Sequence, residues 1–276
     1  MKVNLQSIPY QKYKRVFAFG CSFTEYCWPT WANVLQYEMP QAEFYNWGKT
    51  GGGNVYIASM VMAVNQKYKF TSDDLVMIMW STHCREDRYI KTSWLTPGNI
   101  FTQNYYSEDF IKQFSCAKGY LVRDLAYMTA IKYALLSLPC DYFMLRSVDV
   151  RWDDKYYMGD DYDMVIDLYK DVIDDFPEVL YESVKNGQGG WINGHQYHWP
   201  DLQYKSPKFL DYHPNPTMYM NYLMHIGFKI SERTQNHVKQ LTKELHDIEY
   251  RAKIEEWFTN LNKKNYPNYY WGLHLV

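Results

Sequence analysis

Apolar residues along the chain fall either into short unbroken runs or into longer stretches with helical spacing. Val16-Phe17-Ala18-Phe19 and Leu75-Val76-Met77-Ile78-Met79-Trp80 are the clearest short runs. Runs of that length, rich in β-formers and bounded by turn residues, predict strands buried on both faces, as in a parallel sheet. Shorter strands are expected near Glu43 to Asn46 and over Asp141 to Leu145. Between them, Pro29 to Leu35 predicts a helix with its proline in the first turn, where a missing N–H costs nothing. Ile57, Met60, Val61 and Val64 recur at helical spacing within Val55 to Tyr68, and a further helix is expected from about Tyr120 to Ser137. Strand, helix, strand, helix, strand is the opening of a doubly wound α/β sheet. The expected fold is therefore a three-layer α/β/α sandwich around a central parallel sheet, in one domain spanning residues 1–276.

Two stretches interrupt that rhythm. Residues 83–119 are aromatic and irregular, and residues 151–210 hold an acidic helix (Asp161 to Asp175) and the run Gly187-Gln188-Gly189-Gly190. Long connections inside a compact domain are commonly functional, so both are expected to form a lid over the carboxyl ends of the strands. The acidic helix lacks the spacing of a calcium loop and reads as surface. Residues 231–276 predict one long helix, from about Ser231 to Leu261, and then an aromatic tail, Tyr266 to Trp271. That tail is the expected place for contact between copies of the chain.

Composition narrows the classes. Lys plus Arg number 29 against 31 Asp plus Glu, a formal net charge of -2, so no basic field invites nucleic acid or an anionic membrane. Aromatics reach 18%, with 28 Tyr and 10 Trp. Such rings stack on sugars or build interfaces, and composition does not separate the two uses. The five cysteines show no C-x-x-C pair and no histidine at zinc-ligand spacing, which predicts reduced thiols and no metal. Met1 to Arg15 lacks an apolar core, and no stretch reaches membrane-spanning length. A soluble cytoplasmic protein is expected; a virus-particle component reads the same.

The candidate chemistry begins at Gly20-Cys21-Ser22-Phe23, where the first strand ends. In open α/β sheets ligands bind at that edge, which makes Ser22 a nucleophile candidate; a serine capping the next turn is the plain alternative. The loop Asn46-Trp47-Gly48-Lys49-Thr50-Gly51-Gly52-Gly53-Asn54 resembles the end of a phosphate-binding loop. That motif needs glycine at position 43, which is Glu43, so phosphate cradling is rejected. A serine nucleophile needs a base and an orienting acid. Among eight histidines, His237 and His246 lie on a polar helix, and His195 and His198 sit beside Trp191 and Trp199, where they suit substrate contact. His213, in Asp211-Tyr212-His213-Pro214, has an aspartate two residues before it, which in extended chain shares its face.

In the order of these blocks the chain resembles the SGNH hydrolases, the GDSL esterase and lipase superfamily. Gly20-Cys21-Ser22-Phe23 stands at the first block, and Asn46 with Gly51 at the second. Met79-Trp80-Ser81-Thr82 stands at the third, and Asp211-Tyr212-His213-Pro214 at the fourth. The resemblance implies a flavodoxin-like outline and a cofactor-free serine esterase. Ser22 would be its nucleophile, His213 its base and Asp211 the orienter, with the Ser22 and Gly51 amides holding the oxyanion. Three departures stand out: Cys21 replaces the family's Asp, the Asp to His spacing is one residue shorter, and the third block lacks its asparagine. Thr82 or Asn54 is expected to supply that donor. Trp80, Arg85, Arg88 and His195 are expected to meet substrate, although the charged run Arg85 to Arg88 equally suits a solvated loop. The aromatic lid points to an O-acylated carbohydrate. An acyltransferase with the same triad, and a non-catalytic glycan-binding or structural protein, remain as alternatives.

Overall fold

The computed structural model describes residues 8–103, 105–150, 161–180, 196–198, 208–211, 213–265 and 269–271. Its centre is a five-stranded parallel sheet of β1 (Arg15–Gly20), β2 (Glu43–Gly48), β3 (Asp74–Trp80), β6 (Asp141–Arg146) and β9 (Tyr269–Trp271), in the spatial order β6-β3-β1-β2-β9. The two central strands are the two apolar runs of the sequence, buried almost throughout. Around the sheet lie α1 (Trp31–Glu38), α2 (Asn54–Tyr68), α4 (Ala117–Leu136), α7 (Pro216–His225), α8 (Glu232–His246) and α9 (Arg251–Asn265).

Alternation along the strands sorts the core into two layers. Val16, Ala18, Leu75, Met77 and Met79 pack with α1, α7 and α8 on one face. Phe17, Phe19, Val76, Ile78 and Trp80 pack with α2 and α4 on the other. The chain is thus α/β with helices on both faces of a parallel sheet. The route from β1 goes outward to β2 and then returns across to β3, so the connections diverge between β1 and β3. In such sheets the crevice at that reversal, outside the strands' carboxyl ends, is where ligands bind.

Several elements differ from the sequence reading. Pro29 lies just outside α1, and Thr30 is the cap: its hydroxyl accepts from the Ala32 amide while Asn33 Oδ1 accepts from the Thr30 amide. The irregular stretch after β3 contains a hairpin, β4 (Arg88–Ile90) with β5 (Ser93–Leu95), and a helix, α3 (Glu108–Phe114). The acidic helix is two pieces, α5 (Tyr162–Leu168) and α6 (Lys170–Ile173). The second insertion contributes a small hairpin of β7 (Gln196–His198) and β8 (Lys208–Leu210); most of its other residues, His195 among them, lie outside the described set. The expected long terminal helix is two, α8 and α9. Ile248, in the break, packs with Cys27, Trp28, Leu245 and Ile254, which swings α9 against the turn after β1. The backbone of Tyr269–Trp271, expected to serve other copies, pairs with β2 of its own chain.

Among the described residues no helix is long and apolar enough to cross a membrane.

Candidate active site

The turn that follows β1 is wound tightly. Thr24 and Glu25 both donate their amides to the Cys21 carbonyl, at 2.9 and 3.1 Å. A side chain on Gly20 would meet Thr24 Oγ1 at 2.0 Å, so only glycine lets the strand end this way. Asn46 Nδ2 donates to the Thr24 carbonyl at 2.9 Å, and Thr30 Oγ1 donates to the same oxygen at 2.7 Å, tying the turn to β2 and to α1. Ser22 is presented from this braced loop, with its side chain largely buried.

His213 meets it from the far end of the chain. Its Nε2 lies 2.8 Å from Ser22 Oγ, and its Nδ1 lies 2.7 Å from Asp211 Oδ1. Asp211 Oδ1 also accepts the His213 backbone N–H at 2.8 Å. The two-residue spacing therefore works through a local side-chain turn rather than through one face of a strand, and it fixes the ring's position relative to the carboxylate. A carboxylate that accepts at Oδ1 requires the proton on Nδ1, which leaves Nε2 to accept from the serine hydroxyl. Burial pushes the Asp211 carboxyl up, but the hydrogen bonds and charge of His213 and the Tyr26 hydrogen bond outweigh it and hold the group down at about 2. Asp211 stays ionised at any pH where the imidazole works.

Tyr26 and Arg251 complete the surroundings, and the sequence reading named neither. The Tyr26 ring stacks on the His213 ring, with centroids 3.9 Å apart and planes 17° from parallel. Its hydroxyl donates to Asp211 Oδ2 and accepts from Arg251 Nη1 at 3.0 Å. Arg251 itself lies 3.8 Å from Asp211 Oδ2. Four residues after the candidate nucleophile, Tyr26 was findable as a neighbour; Arg251, on α9, gave no local signal.

No protein-family model, curated protein or solved structure matches this chain. The case for function therefore stands on geometry.

The glycine loop after β2 is held by side chains from the first insertion. Gly51 has a φ of +76°, and a side chain there would strike the Thr96 carbonyl oxygen at 2.1 Å. Arg85 donates to the Gly52 carbonyl at 2.9 Å and to Thr82 Oγ1 at 3.2 Å. Asp87 accepts the Gly53 and Tyr56 amides, both at 2.9 Å, and so caps α2, whose own cap residue is a glycine. Among the described residues, neither the Ser22 nor the Gly51 amide donates to another protein group.

The remaining expected site residues fare differently. Trp80 is a correction: its side chain is fully buried in the layer with α2 and α4, so it meets no substrate. Asn54 is another. Its Nδ2 donates to the Ser81 carbonyl at 3.0 Å and to Asp124 Oδ2 at 2.8 Å, and its Oδ1 accepts from the Ser81 amide at 2.8 Å. The side chain that was expected to reach an oxyanion instead anchors the end of β3. Thr82 Oγ1 accepts from Arg85, and Arg85 serves the glycine loop rather than open solvent. Arg88 pairs with Glu86 at 3.2 Å and lies over the Phe110 ring at 5.0 Å.

Proposed function

We propose that the chain is a serine hydrolase of the SGNH type that cleaves esters through an acyl-enzyme. The observation that carries this reading is the unbroken series Ser22 Oγ, His213 Nε2, His213 Nδ1, Asp211 Oδ1, with contacts of 2.8 and 2.7 Å, at the sheet's switch-point edge. In the reaction, His213 Nε2 takes the Ser22 proton as Oγ attacks the ester carbonyl. The resulting imidazolium, steadied by ionised Asp211, then protonates the departing alcohol. Water, activated by the same nitrogen, releases the acid and restores Ser22. The Ser22 and Gly51 amides stabilise the tetrahedral oxyanion, a role suited by their lack of other acceptors among the described residues. The flavodoxin-like strand order, with β1 between β2 and β3, agrees with the same family outline.

The substrate class we favour is an O-acylated carbohydrate. The β4–β5 hairpin carries exposed Tyr89 against half-buried Trp94, 5.6 Å between centroids, and Thr96 beside it donates to the Thr50 carbonyl of the glycine loop. Flat rings placed next to that loop suit the faces of a sugar.

A non-catalytic sugar-binding role is the second reading, and one observation favours it. The Asn54 side chain spends its Nδ2 hydrogens on the Ser81 carbonyl and on Asp124, so this amide gives the oxyanion no further donor. Loss of one oxyanion donor costs on the order of 100 to 1000-fold in rate. Fluorophosphonate labelling and p-nitrophenyl acetate hydrolysis separate the two. The esterase reading expects both in the wild type and neither in Ser22→Ala or His213→Ala; a folded wild type that does neither overturns it.

A further inference from the structure

Among the described residues the triad's acid is held from two directions, and only one of them belongs to the catalytic loop. Asp211 Oδ1 is filled by His213, through ring and backbone N–H together. Its Oδ2 is filled by Tyr26, whose hydroxyl is in turn held by Arg251. The Tyr26 ring meanwhile covers one face of the imidazole and carries the Arg251 guanidinium 4.8 Å from its centroid. Phe23 and Trp28 contact the imidazole as well, at 5.1 and 6.4 Å between centroids. Trp28 also donates to the Pro214 carbonyl at 2.9 Å, which pins the segment just after His213.

From this geometry we propose that Tyr26 and Arg251 are positioning residues that fix the Asp211 carboxylate and the His213 ring in the orientation that activates Ser22. Without the Tyr26 hydroxyl on Oδ2, the carboxylate loses a contact that opposes rotation about its Cβ–Cγ bond, and such rotation breaks the contact that selects the imidazole tautomer. With the ring face uncovered, the imidazole has room to swing away from Ser22 when it becomes charged. A single tyrosine opposes both motions, and Arg251 keeps its hydroxyl in place. Burial drives the Tyr26 hydroxyl well above its ordinary range, so it remains a proton donor.

Further charged or titratable groups among the described residues face this cluster. Glu255, on α9, accepts from Arg251 Nε at 2.8 Å and orients the guanidinium. Cys27 and Tyr219, the latter from α7, face the Asp211 carboxylate from apolar surroundings where burial keeps both protonated. Glu25 faces Arg251 from the serine turn.

The inference rests on the hydrolase reading for its kinetic arm only, and a second arm needs no turnover. In a Ser22→Ala background, the Asp211 carboxyl carbon is titrated by NMR with and without Tyr26→Phe, which keeps the ring and loses the hydroxyl. The expected result is a carboxyl midpoint raised by roughly 1 unit, together with a moved Nδ1 proton resonance, because the charged form has lost a hydrogen bond. In the catalytic arm, Tyr26→Phe and Arg251→Gln lower kcat about 10 to 100-fold with KM within about twofold, and Arg251→Lys recovers part of the loss. A native-fold Tyr26→Phe with unmoved carboxyl midpoint and Nδ1 resonance overturns the inference. If the wild type turns over no ester while the midpoint and resonance still move, the hydrolase reading falls and the positioning role stands.

Discussion

Glu25 sits in the same turn as Ser22 and has no part in the Ser22, His213 and Asp211 series. Its half-buried carboxylate makes no hydrogen bond among the described residues, and burial pushes it up to about 7 against the pull of Lys49 and Arg251. An acid whose folded pKa is raised costs stability once pH passes its unfolded value near 4, and the full cost is reached above 7. Glu25→Gln is therefore expected to stabilise the protein by about 1–3 kcal/mol at pH 8 and to leave it unchanged below pH 4, as read from urea midpoints. Asp211 behaves in the opposite sense. Its folded value of about 2 lies below the unfolded one, so its contribution of about 2 kcal/mol is complete above pH 4 and is lost as pH falls toward 2. Asp211→Asn is expected to flatten that part of the acid-unfolding curve. At this scale the sequence brought forward Ser22, His213 and Asp211 as candidates from chain position and residue type, and the structure places them in one hydrogen-bonded series. The sequence misplaced Trp80, because a run of six apolar residues does not say which of the two layers receives the last one, and it misplaced Asn54, because an amide's partners lie in other segments.

At the scale of elements, the glycine loop is rigid only by virtue of what leans on it. Asp87 supplies the cap that Gly53 lacks, and Arg85 ties the loop's carbonyl to the end of β3. Asp87→Ala removes two acceptors from the start of α2 and is expected to cost about 1–2 kcal/mol of stability, measured by urea unfolding. Gly51→Ala combines a left-handed backbone with a contact against the Thr96 carbonyl. It is expected to destabilise by about 2 kcal/mol or more in the same assay and, on the proposed oxyanion role of its amide, to lower labelling of Ser22. The charged run Arg85 to Arg88 looked in the sequence like either solvated loop or substrate contact. Two of its members are internal struts, a use that spacing along the chain gives no means of reading. The break between α8 and α9 was equally hidden, since polar helical spacing continues through it and the cause is Ile248 packing against a distant turn.

For the molecule as a whole, the parallel sheet and its helical layers were legible because apolar runs of strand length alternate with stretches of helical period. The order β6-β3-β1-β2-β9 was not legible in that alternation, which narrows the windings of the chain without choosing among them. Nor was the edge position of β9, because a three-residue aromatic segment carries no register signal. The same winding sets where the parts of the site come from. Ser22 and His213 are 191 residues apart in the chain, and Tyr26 and Arg251 are 225 apart. Contacts at such separations form late, after the local helices and hairpins are in place. During synthesis the serine turn emerges first, and it meets His213 only when the loop after β8 arrives and Arg251 only when α9 docks. On the proposed mechanism an unfinished chain carries a dormant nucleophile, and labelling of Ser22 doubles as a report that folding has reached α9.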